Sequence, residues 1–142
     1  MRVQKGFTLV EVLIVVIVLG IPAAIVVPQF SDASSDAKLS AIKTNLQSIR
    51  GQIQLYKIQH NDVYPALLTF NDQMTLSSKV DGTTAAVGTA GFNLGPYLQT
   101  IPANPYTGTA TIGVGAVAAT DWYYNATTGV FRANDDAAHT GY

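Results

Sequence analysis

The stretch that decides the reading of this chain is KGFTLVEVLIVVIVLG, residues 5–20. It opens an apolar run over residues 7–27 that only Thr8 and Glu11 interrupt with polar side chains. Roughly 20 apolar residues in a helix are enough to cross the ~30 Å hydrocarbon core of a bilayer. A buried core helix can be equally apolar, but the remainder of this chain is too short to enclose one on all sides. Arg2 and Lys5 precede the run and no basic residue follows until Lys38. That asymmetry keeps the N-terminus cytoplasmic and sends everything after the run across the membrane. Glu11 is the anomaly, because an ionised carboxylate in hydrocarbon is expensive and marks a functional position.

At 142 residues the chain holds one domain and at most one accessory segment. Its formal charge is −1. Without residues 1–6 the eight basic side chains become six, against nine acidic, for a net of −3. Neither value gives the basic footprint that nucleic acid requires. There is no cysteine. An exported head of this composition therefore relies on packing, partner subunits or a metal rather than on a disulfide.

The leader does not follow the secretory pattern, in which a small-residue cleavage site comes after the apolar region. Here the small residue, Gly6, comes before it. Cleavage at Gly6 leaves the whole apolar segment on the mature chain. The run Lys5-Gly6-Phe7-Thr8-Leu9-Val10-Glu11, continued through Gly20 and Pro28, resembles the processing motif of the type IV pilin and type II secretion pseudopilin superfamily. A second similarity lies in Tyr56-Lys57, Tyr64-Pro65, Gly95-Pro96-Tyr97-Leu98, Ile101-Pro102 and Asn104-Pro105, which resemble the globular part of the major pseudopilin. Residues 66–94 carry no such likeness.

The resemblance implies cleavage after Gly6 by a membrane prepilin peptidase and N-methylation of the new Phe7 terminus. It also implies packing of the apolar helix into a filament core, with Glu11 meeting the Phe7 amine of a neighbouring subunit. Partners implied are identical copies, related minor subunits, an inner-membrane assembly platform and the membrane itself; no nucleic acid is expected directly. Major pseudopilins of this kind use a C-terminal calcium loop, for which Asp135 and Asp136 are the candidate Ca²⁺ ligands. From the residues alone, the same acids read as a solvated tail, and Ca²⁺ needs six to eight oxygens.

The expected fold is α+β and pilin-like. A leader occupies residues 1–6, a transmembrane or filament-core helix residues 7–28, and a periplasmic or extracellular globular domain residues 29–142. Gly20, Pro22 and Pro28 fall inside the helix, and each proline lacks the N–H that bonds four residues back. A bend is expected over residues 20–28. After Pro28, Leu39, Ile42, Leu46, Ile49, Ile53 and Tyr56 recur at spacings of three and four. This is one helix face, long enough to pack on a sheet and short for a coiled coil. Asp32 and Asp36 read as a helix-start turn.

His60-Asn61-Asp62 ends the helix, and residues 71–95 read as a loop with one short element near residues 74–80. Strands are expected at residues 109–114, 122–125 and 130–132, the last two as a hairpin around residues 126–129. The three make a small antiparallel sheet under the stripe. Residues 133–142 read as a loose or ligand-bound tail.

No catalytic constellation stands out. His60 and His139 are far apart without a metal-ligand spacing and read as surface residues. Asn125-Ala126-Thr127 matches a glycosylation sequon, a frequent chance triplet. An enzyme is not expected. The leading reading is a structural subunit of a pilus-like filament, the pseudopilus of a type II secretion system. The alternative is a type IV pilin of a surface fibre for adhesion, motility or DNA uptake. A monomeric membrane-tethered binding module is the reading from another class, and it gives Glu11 no purpose.

Overall fold

The computed structural model describes residues 6–142, with side chains for all of these except residues 20–33. Helix α1 (Leu9–Gln59) is followed by a 3-10 turn (Leu67–Thr69) and helix α2 (Phe70–Thr75). Five strands come next, β1 (Ser77–Ser78), β2 (Thr84–Ala85), β3 (Ile112–Gly113), β4 (Trp122–Asn125) and β5 (Val130–Ala133), before a last 3-10 turn (Ala137–His139). The architecture is α+β. The chain divides into two compact units, Met1–Ala37 and Lys38–Tyr142.

In the first unit, α1 is a single helical run through residues 31–36, so Asp32 and Asp36 do not mark a helix start. The described apolar side chains of this unit are exposed, from 84% at Phe7 to 51% at Ile17. Among the described residues no helix is long and apolar enough to cross a membrane. All of residues 20–28, where Gly20, Pro22 and Pro28 were expected to bend the helix, lie outside the described side chains.

The second unit is built on the α1 stripe. Ile42, Leu46, Ile49, Ile53 and Tyr56 are buried, and Leu39 packs at the edge. Their spacing lines up one face along the helix, and the sheet supplies the opposing surface. Strands alternate sides every residue, so Trp122 and Tyr124 of β4, with Phe131 and Ala133 of β5, point inward. Phe70 and Met74 of α2 and Tyr97 close the core. Phe70 lies 4.5 Å from Tyr124 and 5.8 Å from Phe131, ring centre to ring centre. At ~25 cal/mol per Å² of apolar surface, this seam is the principal source of the head's stability.

The sheet corrects one expectation. β4 and β5 form the anticipated antiparallel hairpin, but β3 pairs with β4 in parallel, Ile112 opposite Trp122. The reason lies in the connection over residues 114–121. It folds onto itself instead of turning back, with Ala118 at φ 65° and its N–H bonded to the Asn134 carbonyl at 2.6 Å. The chain therefore re-enters the sheet in its original direction. A second, two-stranded sheet of β1 and β2 fills part of the region read as loop.

His60 is also corrected, from surface to core. It is 1% exposed and stacks on Tyr56 with ring centres 3.6 Å apart. Its Nδ1–H donates to the Tyr56 carbonyl at 2.8 Å, which satisfies a free acceptor in the last turn of α1. Its Nε2 then accepts from the Ser78 hydroxyl at 3.1 Å. The histidine joins the end of the long helix to β1.

Gly129 in the β4–β5 turn has φ +71°, and a Cβ there would stand 2.3 Å from the Tyr64 ring. Lys57 covers Tyr64 at 4.7 Å. Gly129→Ala therefore meets both a left-handed backbone, costing about 1–2 kcal/mol alone, and a ring that Lys57 already covers. Urea unfolding should show a loss of at least that size; unchanged stability would contradict the packing.

Candidate functional site

The first turn of α1 positions the residues singled out in the sequence. Thr8 is the residue before the helix, and Val12 N–H donates to its carbonyl at 3.2 Å. The Thr8 hydroxyl accepts from Glu11 N–H at 3.2 Å, while a Glu11 carboxylate oxygen accepts from Thr8 N–H at 3.4 Å. This is a reciprocal capping box, which satisfies two otherwise free N–H groups. The positive end of the helix dipole favours the carboxylate at this place. Glu11 is thereby folded back toward Phe7 and the N-terminus. The Thr-x-x-Glu signature was present at residues 8–11, and Thr8 is the functional residue that the charge-centred reading passed over.

Gly6 and Phe7 precede the helix in exposed chain outside any regular element, and nothing lies within 4 Å of a Cβ built at Gly6. Among the residues expected to serve processing, assembly or a kink, the structure bonds Glu11 to Thr8, the neighbour of Phe7 in the chain. Gly20, Pro22 and Pro28 lie outside the described side chains.

The C-terminal acids occupy a different kind of site. Asp135 is almost fully buried. One of its oxygens accepts from Asn104 Nδ2 at 2.8 Å, and the other meets His139 Nδ1 at 2.6 Å. His139, read as a surface residue, is tilted against Tyr106 with ring centres 4.2 Å apart. Asp136 is spent on capping the last 3-10 turn through Ala138 N–H. Among the described residues, no three His, Cys, Asp or Glu side chains are grouped to hold a metal. One buried oxygen nearby, Asn134 Oδ1, lacks a partner. Ca²⁺ takes six to eight oxygens, whereas the two Asp135 oxygens here meet Asn104 and His139 within the chain.

What the acids build is a lock. The tail expected to be loose is held to α1: Arg50 donates to the Phe131 carbonyl at 2.8 Å and to the Tyr142 carbonyl. Lys43 sits 4.6 Å above the Tyr142 ring. Asn134 Nδ2 donates to the Ala116 carbonyl and the Thr120 hydroxyl, tying the tail to the crossover loop. Asp121 completes the lock. Its Oδ2 accepts from Thr109 Oγ1, Thr111 N–H and Thr111 Oγ1 at 2.8, 2.6 and 2.6 Å. Burial pushes this carboxyl up, but the bonds from Thr107, Thr111 and Thr109 outweigh it and bring the pKa down to about 2.

Comparison with known proteins supports the N-terminal reading first. A family described as the prokaryotic N-terminal methylation motif matches residues 1–27. The type II secretion system core protein G of Pseudomonas aeruginosa is 34% identical over 105 residues, 74% of this chain and 70% of the relative. The chain belongs to the core protein G family, the major pseudopilins. The core protein G of Aeromonas hydrophila is 30% identical over 74% of this pseudopilin and 69% of its own length. The type IV major fimbrial protein FimA of Dichelobacter nodosus is 28% identical over 64% and 61%. No solved structure matches significantly.

The Asp121 geometry sets a pH dependence for the pseudopilin head. A carboxyl whose pKa is lower in the folded state stabilises fully above the ordinary value of 3.8, and loses that contribution as pH falls toward 2. Asp121→Asn should cost on the order of 2 kcal/mol at pH 7. It should also flatten the decline of the melting temperature between pH 4 and pH 2. An Asn variant with the wild-type acid slope would contradict the assignment.

Proposed function

We propose that this pseudopilin is the repeating subunit of a type II secretion pseudopilus, cut after Gly6, N-methylated at Phe7 and polymerised through residues 7–28. The observation that carries the reading is the apolar start of α1, exposed on all sides and headed by a carboxylate turned back toward the N-terminus. A helix that is apolar all round is stable only where hydrocarbon or other helices cover it. Before assembly the cover is the inner membrane, with the head in the periplasm. After assembly it is the same segment of neighbouring copies.

Cleavage adds a positive charge beside Glu11. Phe7 then carries an α-ammonium four residues away, on roughly the same helix face. Within one chain that amine screens the carboxylate; in the filament, a neighbour's amine takes its place and sets the axial register. A methyl group on Phe7 leaves the charge in place. The prepilin peptidase, the inner-membrane platform and related minor subunits are the partners this cycle requires. A surface fibre is the second reading, favoured by the similarity to the fimbrial protein of Dichelobacter nodosus.

Glu11→Ala tests both versions, because removing one member of a buried pair strands the other charge at a cost of about 3–5 kcal/mol. Sheared filament yield should fall at least tenfold while the melting temperature of the head stays at the wild-type value. Normal yield refutes the assembly role. Filaments that remain periplasmic support the pseudopilus, and long external fibres support the pilin reading.

A further inference from the structure

The head contains a cavity of about 330 Å³ at the end of α1, between the helix and the turn joining β1 to β2. Tyr56 and His60 form one wall and Gln73 another. Tyr56 is 1% exposed, yet its hydroxyl makes no hydrogen bond among the described residues. By contrast, the phenols of Tyr97 and Tyr124 each donate at 2.7 Å, to Gln59 Oε1 and the Pro65 carbonyl. The polar groups around Tyr56 are already committed. Gln73 accepts from Ala66 N–H and donates to the Gly82 carbonyl, and both His60 nitrogens are bonded. A hydroxyl that opens into a cavity and has no hydrogen-bond partner within the chain is available to a ligand.

The chemistry of the ligand follows from the charge. The lining includes Asp81 and no lysine or arginine. Asp81 Oδ1 is held by Thr83 N–H at 3.0 Å and Thr83 Oγ1 at 2.7 Å, which fixes the carboxylate at the rim. Burial, Tyr97 and Asp81 together raise the Tyr56 phenol to about 12, so it stays neutral and its oxygen lone pairs remain able to accept. Val63 and Val80, exposed on the head and lining the same cavity, offer apolar surface for a hydrocarbon stem. Glycine at residue 82 keeps the space open: its φ is +83°, and a Cβ would stand 3.2 Å from the Tyr56 hydroxyl and 3.0 Å from Gln73 Nε2.

Among the described residues, no basic side chain of this subunit lines the cavity. All six basic residues after residue 37 are engaged at home. Lys38, Lys43, Lys57, Lys79 and Arg132 lie 4.4–5.6 Å from aromatic ring centres, and Arg50 bonds backbone carbonyls. We propose that the cavity between Tyr56 and Asp81 is a binding site for an ammonium or guanidinium group on a short apolar stem, supplied by another molecule. The stem rests on Val63 and Val80, the charged head donates to the Tyr56 oxygen, and Asp81 balances its charge at the rim.

The test is an amide NMR titration of the full chain in detergent micelles with n-butylammonium, n-butylguanidinium and a capped Ala-Lys-Ala peptide. Saturable shifts centred on Tyr56, Asp81 and Gly82 are expected. Tyr56→Phe keeps the ring stack and should weaken binding about tenfold. Asp81→Asn keeps the oxygen facing Thr83 and should weaken it roughly threefold. Asp72→Asn, an equal change of net charge elsewhere on the head, should leave affinity unchanged. Peptide binding identifies a basic side chain as the source, and binding of the free amines alone identifies a small-molecule ligand. Shifts that never saturate, or a loss with Asp72→Asn equal to that with Asp81→Asn, overturn the proposal.

Discussion

The head depends on one contact, the stripe of Ile42, Leu46, Ile49, Ile53 and Tyr56 laid against Trp122, Tyr124 and Phe131. Neither surface is stable alone. A sheet of three strands, one of them two residues long, does not hold together in water without a helix on its face. A helix with five large apolar residues on one side needs a cover. The joint also has polar stitching at both ends, since the Trp122 indole donates to the Pro102 carbonyl and the Tyr124 phenol to that of Pro65. Both bonds pull irregular chain onto the aromatic layer, which explains how long connections remain ordered around a small core.

The elements that local pattern dictates were legible in the sequence. The three-and-four spacing on α1 located the buried face residue by residue. The alternation at residues 122–125 fixed β4 to its ends, and Gly129 marked the turn after it. What escaped was set by partners distant along the chain. Strand periodicity identifies a strand but not its direction, and the parallel pairing of β3 comes from how residues 114–121 fold onto Asn134. His60 looked solitary because Ser78 and Tyr97 are remote in sequence. The tail looked loose because Arg50 and Asn104 hold it from far upstream. Thr8 is different: its signature was local, and attention to the charge on Glu11 obscured the hydrogen bond beside it.

The absence of cysteine makes the C-terminal network intelligible. A disulfide stabilises by restricting the unfolded chain, whereas this lock works in the folded state through buried hydrogen bonds and rings. Asp135 alone joins Asn104, on the connection before β3, to His139 in the last turn. Asn134 reaches the crossover loop with its side chain and the Asp121 carbonyl with its N–H. Buried polar networks of this kind specify one arrangement, because a half-satisfied version is worse than none. Asn134 Oδ1, left without a partner, is the place where the network is incomplete.

The distribution of charge follows from the same economy of contacts. Each cation from residue 38 onward lies over a ring or on carbonyls, and the described ion pairs number only Lys57–Asp62 and Asp135–His139. An ammonium over an aromatic face contributes about 0.5–1 kcal/mol at an exposed site and buries its methylene stem as well. Positive charge is therefore used inside the subunit; Lys79, which lies over Phe92, also acts on the Asp81 carboxylate. On the proposed assembly, subunit association rests on the apolar start of α1 and on the pairing of Glu11 with a terminal amine that cleavage after Gly6 would create.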